Sequence, residues 1–211
     1  MPYSLAIFDL DGTLVDSFPW LLRNMNDVAD RFGFRRVTED DISPLRRAGL
    51  REIFERLEVP VRKLPSIVRH MRRLKTEHAS GIPLFAGVEP MLRALTDAGM
   101  GLALVSSDSE ANARAQLGAA NAALFSAFDC GASIFGKAAK FRRVIGRAGA
   151  QPGRTIAIGD EVRDIDAARA AGIACAAVTW GYSAPEVLYA HKPDVVFERM
   201  ADIAPRLLAA A

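Results

Sequence analysis

The chain has 211 residues, half of them hydrophobic, with 27 basic against 25 acidic side chains and a net charge of +2. That length suffices for one substantial core plus a smaller domain, and so small a net charge gives no electrostatic reason to expect a nucleic-acid partner. No run is apolar and long enough to span a bilayer, and no basic leader precedes the first apolar run, so a cytoplasmic protein with no membrane partner is expected.

The first apolar run, Leu5 to Leu10, reads as a buried strand and leads into Asp11-Gly12-Thr13. Asp9 and Asp11 are one residue apart, which in a strand puts both carboxylates on one side. The C-terminal end of such a strand is where open α/β sheets place their active sites. Two hard oxygen ligands on one side suit Mg²⁺. At this point a plain strand followed by an Asp-Gly turn remains an equal alternative.

Helical spacing follows from Phe18 to Phe32, with Gly33 as a stop, then from Leu50 to Leu57, and from about Ser66 to His78 after Pro60 and Pro65. Between Asp16 and Pro83 there are 14 basic and 10 acidic residues, so the positive excess of the chain lies in this helical block. Arg69, Arg72, Arg73 and Lys75 alternate with Ile67, Val68, Met71 and Leu74, the pattern of an apolar stripe with a solvated cationic face. Gly81 to Val88, with its glycines and Pro83, reads as a linker.

Helices and apolar runs then alternate. Helices are expected at Glu89 to Ala98, Glu110 to Leu117, Lys137 to Ala148 and Asp164 to Ala171. Strands are expected at Gly101 to Ser106, Ala127 to Gly131, Thr155 to Ile158, Ile173 to Thr179 and Val195 to Phe197. Alternation of this kind implies an α/β protein, a parallel sheet covered by helices on both faces. Cys130 and Cys175 both fall in these apolar runs without a Cys-x-x-Cys or a His partner and are expected to be buried free thiols. His70, His78 and His191 form no ligand-spaced cluster, which argues against zinc chemistry.

Asp9-Leu10-Asp11-Gly12-Thr13-Leu14-Val15-Asp16-Ser17 resembles the first signature of the haloacid dehalogenase-like hydrolases, in the form found in their phosphatase branch. Leu102 to Ser107, Gly136-Lys137 and Ile156 to Asp164 are similar to the second, third and fourth signatures, in the family's order. The resemblance implies a Rossmann-like three-layer core of residues 1–15 and 84–211, with residues 16–83 inserted as a small all-helical cap. It further implies a Mg²⁺-dependent phosphatase acting on a small phosphorylated metabolite, phosphoglycolate being the familiar substrate of this branch. A phosphosugar mutase and a non-catalytic binding protein on the same fold are the alternatives. A monomer or homodimer is expected.

By the same resemblance Asp9 is the nucleophile and Asp11 the general acid and then base. Asp9, Asp160 and the backbone carbonyl of Asp11 are implied as metal ligands. Ser106 donates to the transferring phosphate, with Ser107 close by, and Lys137 offsets negative charge. Gly12 and the turn after it offer backbone N–H groups. Asp164 is expected to orient ligands or Lys137 rather than bind metal, though a helix N-cap role stays open. Lys137 is preferred over Lys140 because it follows Phe135-Gly136 at a loop-to-helix junction, although the Lys-Pro often seen at the third signature is missing. In the cap, Arg47 and Arg51 are candidates to grip a substrate carboxylate or second phosphate, with exposed helix-end charges as the rival account. Trp180-Gly181-Tyr182 either borders the site or plugs the sheet edge.

Overall fold

The computed structural model describes residues 3–131 and 136–209. Its centre is a six-stranded, fully parallel sheet built from β1 (Leu5–Phe8), β2 (Gly101–Val105), β3 (Ala127–Asp129), β4 (Thr155–Gly159), β5 (Ala174–Val178) and β6 (Val195–Phe197). The strand order is β3-β2-β1-β4-β5-β6. Phe8 is level with Leu104 on one side and Ile158 on the other, so β1, β2 and β4 end together.

Alternate side chains of these strands go to opposite faces. On one face Ala6, Phe8, Leu102, Leu104, Ile156 and Ile158 pack with α5 (Val88–Asp97), α6 (Glu110–Ala122) and α10 (Ile203–Ala209). On the other, Leu5, Ile7, Ala103, Val105 and Ala157 pack with α7 (Lys137–Arg147), α8 (Val162–Ala171) and Leu188 of α9 (Pro185–Ala190). Burial on both faces explains why the strands read as continuous apolar runs rather than as an alternation.

The helical insert contains α1 (Phe18–Phe32), α2 (Glu39–Arg47), α3 (Leu50–Arg56) and α4 (Leu64–Glu77). Its two connections to the core lie side by side: Val15 bridges Leu84, and the Asp16 N–H donates to the Pro83 carbonyl at 2.9 Å. α2 goes beyond the sequence expectation; its start is fixed by Asp41, which accepts a bidentate pair of bonds from Arg35 at 2.8 and 2.9 Å and a bond from the Thr38 N–H. The short α9 and α10 are likewise additional to the helices expected.

Two expectations require correction. β1 stops at Phe8, because the Leu10 carbonyl accepts from the N–H groups of Thr13, Leu14 and Val15 and closes a turn. Asp11 therefore lies in that turn, and strand geometry does not govern its direction. Cys175 is buried as expected, whereas Cys130 lies just past β3 and is only half-buried; both are free thiols.

Candidate active site

The Gly-Thr turn, the loop after β2 and the loop after β4 meet above the carboxyl ends of the three central strands. Asp9, one residue beyond β1, is 4% exposed, and its N–H donates to the Ile158 carbonyl at 2.9 Å. Asp160 follows β4 and is completely buried. With Asp164 on the first turn of α8, these two acids bring carboxylate oxygens within 4.8 Å of one another.

The backbone is pressed tightly around this cluster. A Cβ on Gly12, whose φ is +76°, would lie 2.2 Å from an Asp160 oxygen; one on Gly181 would lie 2.3 Å from Asp160, and one on Gly159 2.2 Å from Asp164. Thr13 Oγ1 donates to Asp160 Oδ1 at 2.8 Å, and the Tyr182 N–H donates to Oδ2 at the same distance. Asp164 accepts from the Glu161 N–H in the capping box that opens α8, so Glu161, not Asp164, is its N-cap.

Lys137 Nζ lies 2.8 Å from Asp9 and 2.5 Å from Asp164. Burial by itself would lower the Lys137 pKa, but Asp164 and Asp9 outweigh it and the net shift is upward. Burial pushes the Asp9 carboxyl up against the opposing pull of Lys137. Asp160 is pushed well above its ordinary value by burial and by Glu161, Asp9 and Asp164. Asp164 moves the other way: burial would raise it, yet Lys137 and Arg163 hold it below its usual value. Buried acids that repel one another, all hard oxygen donors, form the kind of set a divalent cation such as Mg²⁺ satisfies.

Lys140 is placed differently. Its Nζ donates to the carbonyls of Ser106 and Gly131, both at 2.7 Å, bracing the loop after β2. Phe135, which precedes the lysine loop in the sequence, lies outside the described residues. Ser106 is buried at the end of β2 and its hydroxyl accepts from the Asp108 N–H at 3.1 Å. Ser109, not Asp108, caps α6 by accepting from the Asn112 N–H.

Asp11 does not direct its carboxylate into the acidic cluster. It accepts from Lys75 Nζ at 2.5 and 2.6 Å and from Ser17 Oγ at 2.6 Å, leaving only its main-chain carbonyl for the metal role implied by resemblance. Lys75 also lies 2.9 Å from Asp108. At 6% exposure, Lys75 is not part of a solvated cationic face. Burial opposes its charge, but Asp11 and Asp108 more than compensate and its pKa is raised. Arg72, one turn earlier, donates to the Ser107 carbonyl. The usable signal was position: Lys75 is four residues from Met71 and seven from Val68, hence on the apolar stripe rather than opposite it.

A cleft of about 260 Å³ opens beside Asp11, lined by Ser107, Asp108, Arg72, Lys75, Arg163 and Tyr182 and by apolar side chains of the insert including Trp20, Phe54 and Met71. Arg47 and Arg51 are not brought to it. Arg47 pairs with Glu186 at 2.7 Å and Arg51 with Glu55 at 2.8 Å, the Arg51 side chain being 92% exposed. Arg46 instead turns inward, to the carbonyls of Gly181 and Tyr182. Trp180 donates to the Thr13 carbonyl at 3.2 Å and packs edge-on to Phe85, so the aromatic segment both borders the site and fills the edge of the core.

The profile of the haloacid dehalogenase-like hydrolases matches residues 6–178, a span that contains Asp9, Asp11, Lys75, Ser106, Lys137, Asp160 and Asp164 but ends before Tyr182. The chain belongs to that family. Among the relatives of this haloacid dehalogenase-like hydrolase, the phosphoglycolate phosphatase of Synechococcus elongatus is 33% identical over 198 residues, covering 93% of each chain. That of Agrobacterium fabrum is 32% identical and covers 96% of this chain and 91% of its own. A solved structure of a predicted phosphoglycolate phosphatase from Haemophilus somnus superposes with a TM-score of 0.78 at 26% identity, over 98% of both chains. Within its family the chain is thus an enzyme of the phosphatase branch, similar to phosphoglycolate phosphatases.

Proposed function

We propose that this phosphatase hydrolyses a small-molecule phosphate monoester through a phosphorylated Asp9, with Mg²⁺ held by Asp9, Asp160 and the Asp11 carbonyl. The observation that carries this reading is the convergence of the Asp9, Asp160 and Asp164 carboxylates within 4.8 Å, with Lys137 at 2.8 Å from Asp9. When bound, the cation offsets the charge of phosphate and nucleophile and polarises the phosphoryl oxygens.

An Asp9 oxygen attacks phosphorus, the bond to the alcohol oxygen breaks, and Asp11, entering this step in its protonated form, delivers its proton to that oxygen and becomes the carboxylate. Water then attacks the same phosphorus, Asp11 takes its proton, and Asp9 leaves as a free carboxylate. Lys137 stays fixed between Asp9 and Asp164 and balances charge during both steps. Ser106 and Ser107 and the backbone around Gly12 supply donors to the phosphoryl oxygens. Asp164 orients Lys137. The helical insert acts as a cap, and Trp20, Phe54 and Met71 exclude water from the alcohol side of the cleft.

Two relatives named as phosphoglycolate phosphatases make 2-phosphoglycolate the first substrate to assay, beside other phosphorylated metabolites. Released phosphate is measured with Mg²⁺ and with EDTA. Asp9→Asn preserves shape but removes the nucleophile, so phosphate release should fall to background while the folded circular dichroism spectrum is retained. Near-normal turnover by the folded variant would end the covalent-aspartate reading, and isomerised product without phosphate release would identify a mutase.

A further inference from the structure

Tyr182 lies on the loop after β5 and touches two separate parts of the site, Asp160 and Ser17. Its N–H donates to Asp160 Oδ2 at 2.8 Å. Its hydroxyl is 2.9 Å from Ser17 Oγ, and Ser17 Oγ donates to Asp11 Oδ1 at 2.6 Å. A serine hydroxyl has one proton. When Asp11 is ionised, its state as the base of the second step, Ser17 gives that proton to Asp11 and the Tyr182 hydroxyl is the donor to Ser17. The result is a directional chain from Tyr182 through a fully buried Ser17 to the Asp11 carboxylate.

The same loop is gripped by the insert. Arg46 at the end of α2 donates through Nε to the Tyr182 carbonyl at 3.0 Å and through Nη2 to the Gly181 carbonyl at 2.8 Å. The Ala184 N–H returns a bond to the Arg46 carbonyl at 2.8 Å. The Tyr182 ring lies against Phe18 of α1, centroids 5.3 Å apart, and the Arg46 guanidinium covers Phe18 in turn. Gly181 has no room for a side chain beside Asp160, which fixes the approach of the loop to that acid.

We infer that Tyr182 is a positioning residue that couples closure of the helical insert to the chemistry, aligning Asp11 through its hydroxyl and Ser17 and aligning Asp160 through its main-chain N–H. The inference rests on the acid-base reading of Asp11 given above. With the insert closed, Arg46 and Phe18 hold the Tyr182 loop so that both acids are set together. With the insert displaced, the loop loses those contacts and both alignments loosen.

The test uses the full chain with saturating Mg²⁺ and esters of graded leaving-group acidity, from p-nitrophenyl phosphate to an alkyl phosphate. A nitrophenolate leaves without a proton, whereas an alkoxide needs one from Asp11. Tyr182→Phe deletes one hydroxyl and keeps ring and backbone, so the rate of leaving-group release in the first turnover, before the hydrolysis step that both esters share, should fall about three- to ten-fold on the alkyl ester, the size of one neutral hydrogen bond. On p-nitrophenyl phosphate that first-turnover rate should change less than about two-fold. Substrate Kd should stay level on both, and the same first-turnover rate is the readout for every variant. Ser17→Ala, which breaks the same chain at its middle, should give the same graded loss and serves as the second variant should Tyr182→Phe fold poorly. Asp11→Asn run in parallel should show the strongest leaving-group dependence. If it does while Tyr182→Phe and Ser17→Ala lose equally on both substrates or lose nothing, the positioning role is refuted and the acid-base reading stands. If Asp11→Asn itself shows no such dependence, the acid-base reading falls and the inference falls with it.

Discussion

Lys75→Met distinguishes the tertiary structure from the helical pattern most sharply. On the pattern alone, Lys75 belongs to a solvated face, where a substitution changes stability by no more than about 0.5 kcal/mol. In the structure its ammonium is 6% exposed and joins Asp11, at 2.5 Å, to Asp108, at 2.9 Å. Methionine fills the volume and removes the charge, leaving buried Asp108 and part-buried Asp11 without their cation, a loss of about 3–5 kcal/mol at most. For a chain of this size each kcal/mol shifts Tm by about 2–4 °C, so the midpoint should fall by about 6–20 °C. The lower end is favoured physically, because α4 belongs to the insert and opening of the insert returns water to both acids. Differential scanning calorimetry measures the shift, and hydrogen exchange in α4 should quicken at the same time. Asp108→Asn removes one of the two anions, so the double variant should lose less than the two single losses added together. The Lys75 pKa is raised in the folded state, so its contribution is present in full below the unfolded value of about 10.4 and disappears as pH rises through the folded value. A Tm drop under about 2 °C would refute the buried-clamp account.

Mg²⁺ should stabilise the native state by RT ln(1 + [L]/Kd), about 2.7 kcal/mol at one hundred times Kd, a rise in Tm of about 5–11 °C. Asp160→Asn should abolish most of that rise, and coincident scans of the wild-type chain with millimolar Mg²⁺ and with EDTA would exclude this cation site. Arg51→Ala and Arg47→Ala should leave kcat/KM unchanged, because both guanidinium groups pair with surface glutamates rather than face the cleft. Arg72→Met should lower kcat/KM for 2-phosphoglycolate roughly ten- to more than a hundred-fold while sparing ethyl phosphate, since Arg72 lines the cleft and has no carboxylate partner among the described residues. Equal losses on the two esters would assign Arg72 to holding the Ser107 loop instead.

The parallel core and most of its chemistry were readable in the amino-acid order, for a physical reason. Strands buried on both faces must be apolar through their length, as Leu5–Phe8 is and as Ile156, Ala157 and Ile158 are within β4, and the site groups follow directly at the ends of β1, β2 and β4. Asp9, Ser106 and Asp160 therefore announce themselves by adjacency to an apolar run. The three additional helices were less legible because α9 and α10 have six and seven residues and α2 carries Pro44 inside it, so packing rather than propensity forms them. Long-range partners were not legible at all. Whether a lysine on a helix meets water or a carboxylate depends on residues far along the chain: Lys75 is 64 positions from Asp11, and Ser17 is 165 from Tyr182. A charge on an apolar stripe is unfavourable until its partner is known, and only the folded chain supplies Asp11 and Asp108 to Lys75 while turning Arg47 and Arg51 toward Glu186 and Glu55. The sequence by itself determined which acids stand at the strand ends; the tertiary structure decided which cation faces each of them, because burial and pairing are properties of neighbours in space.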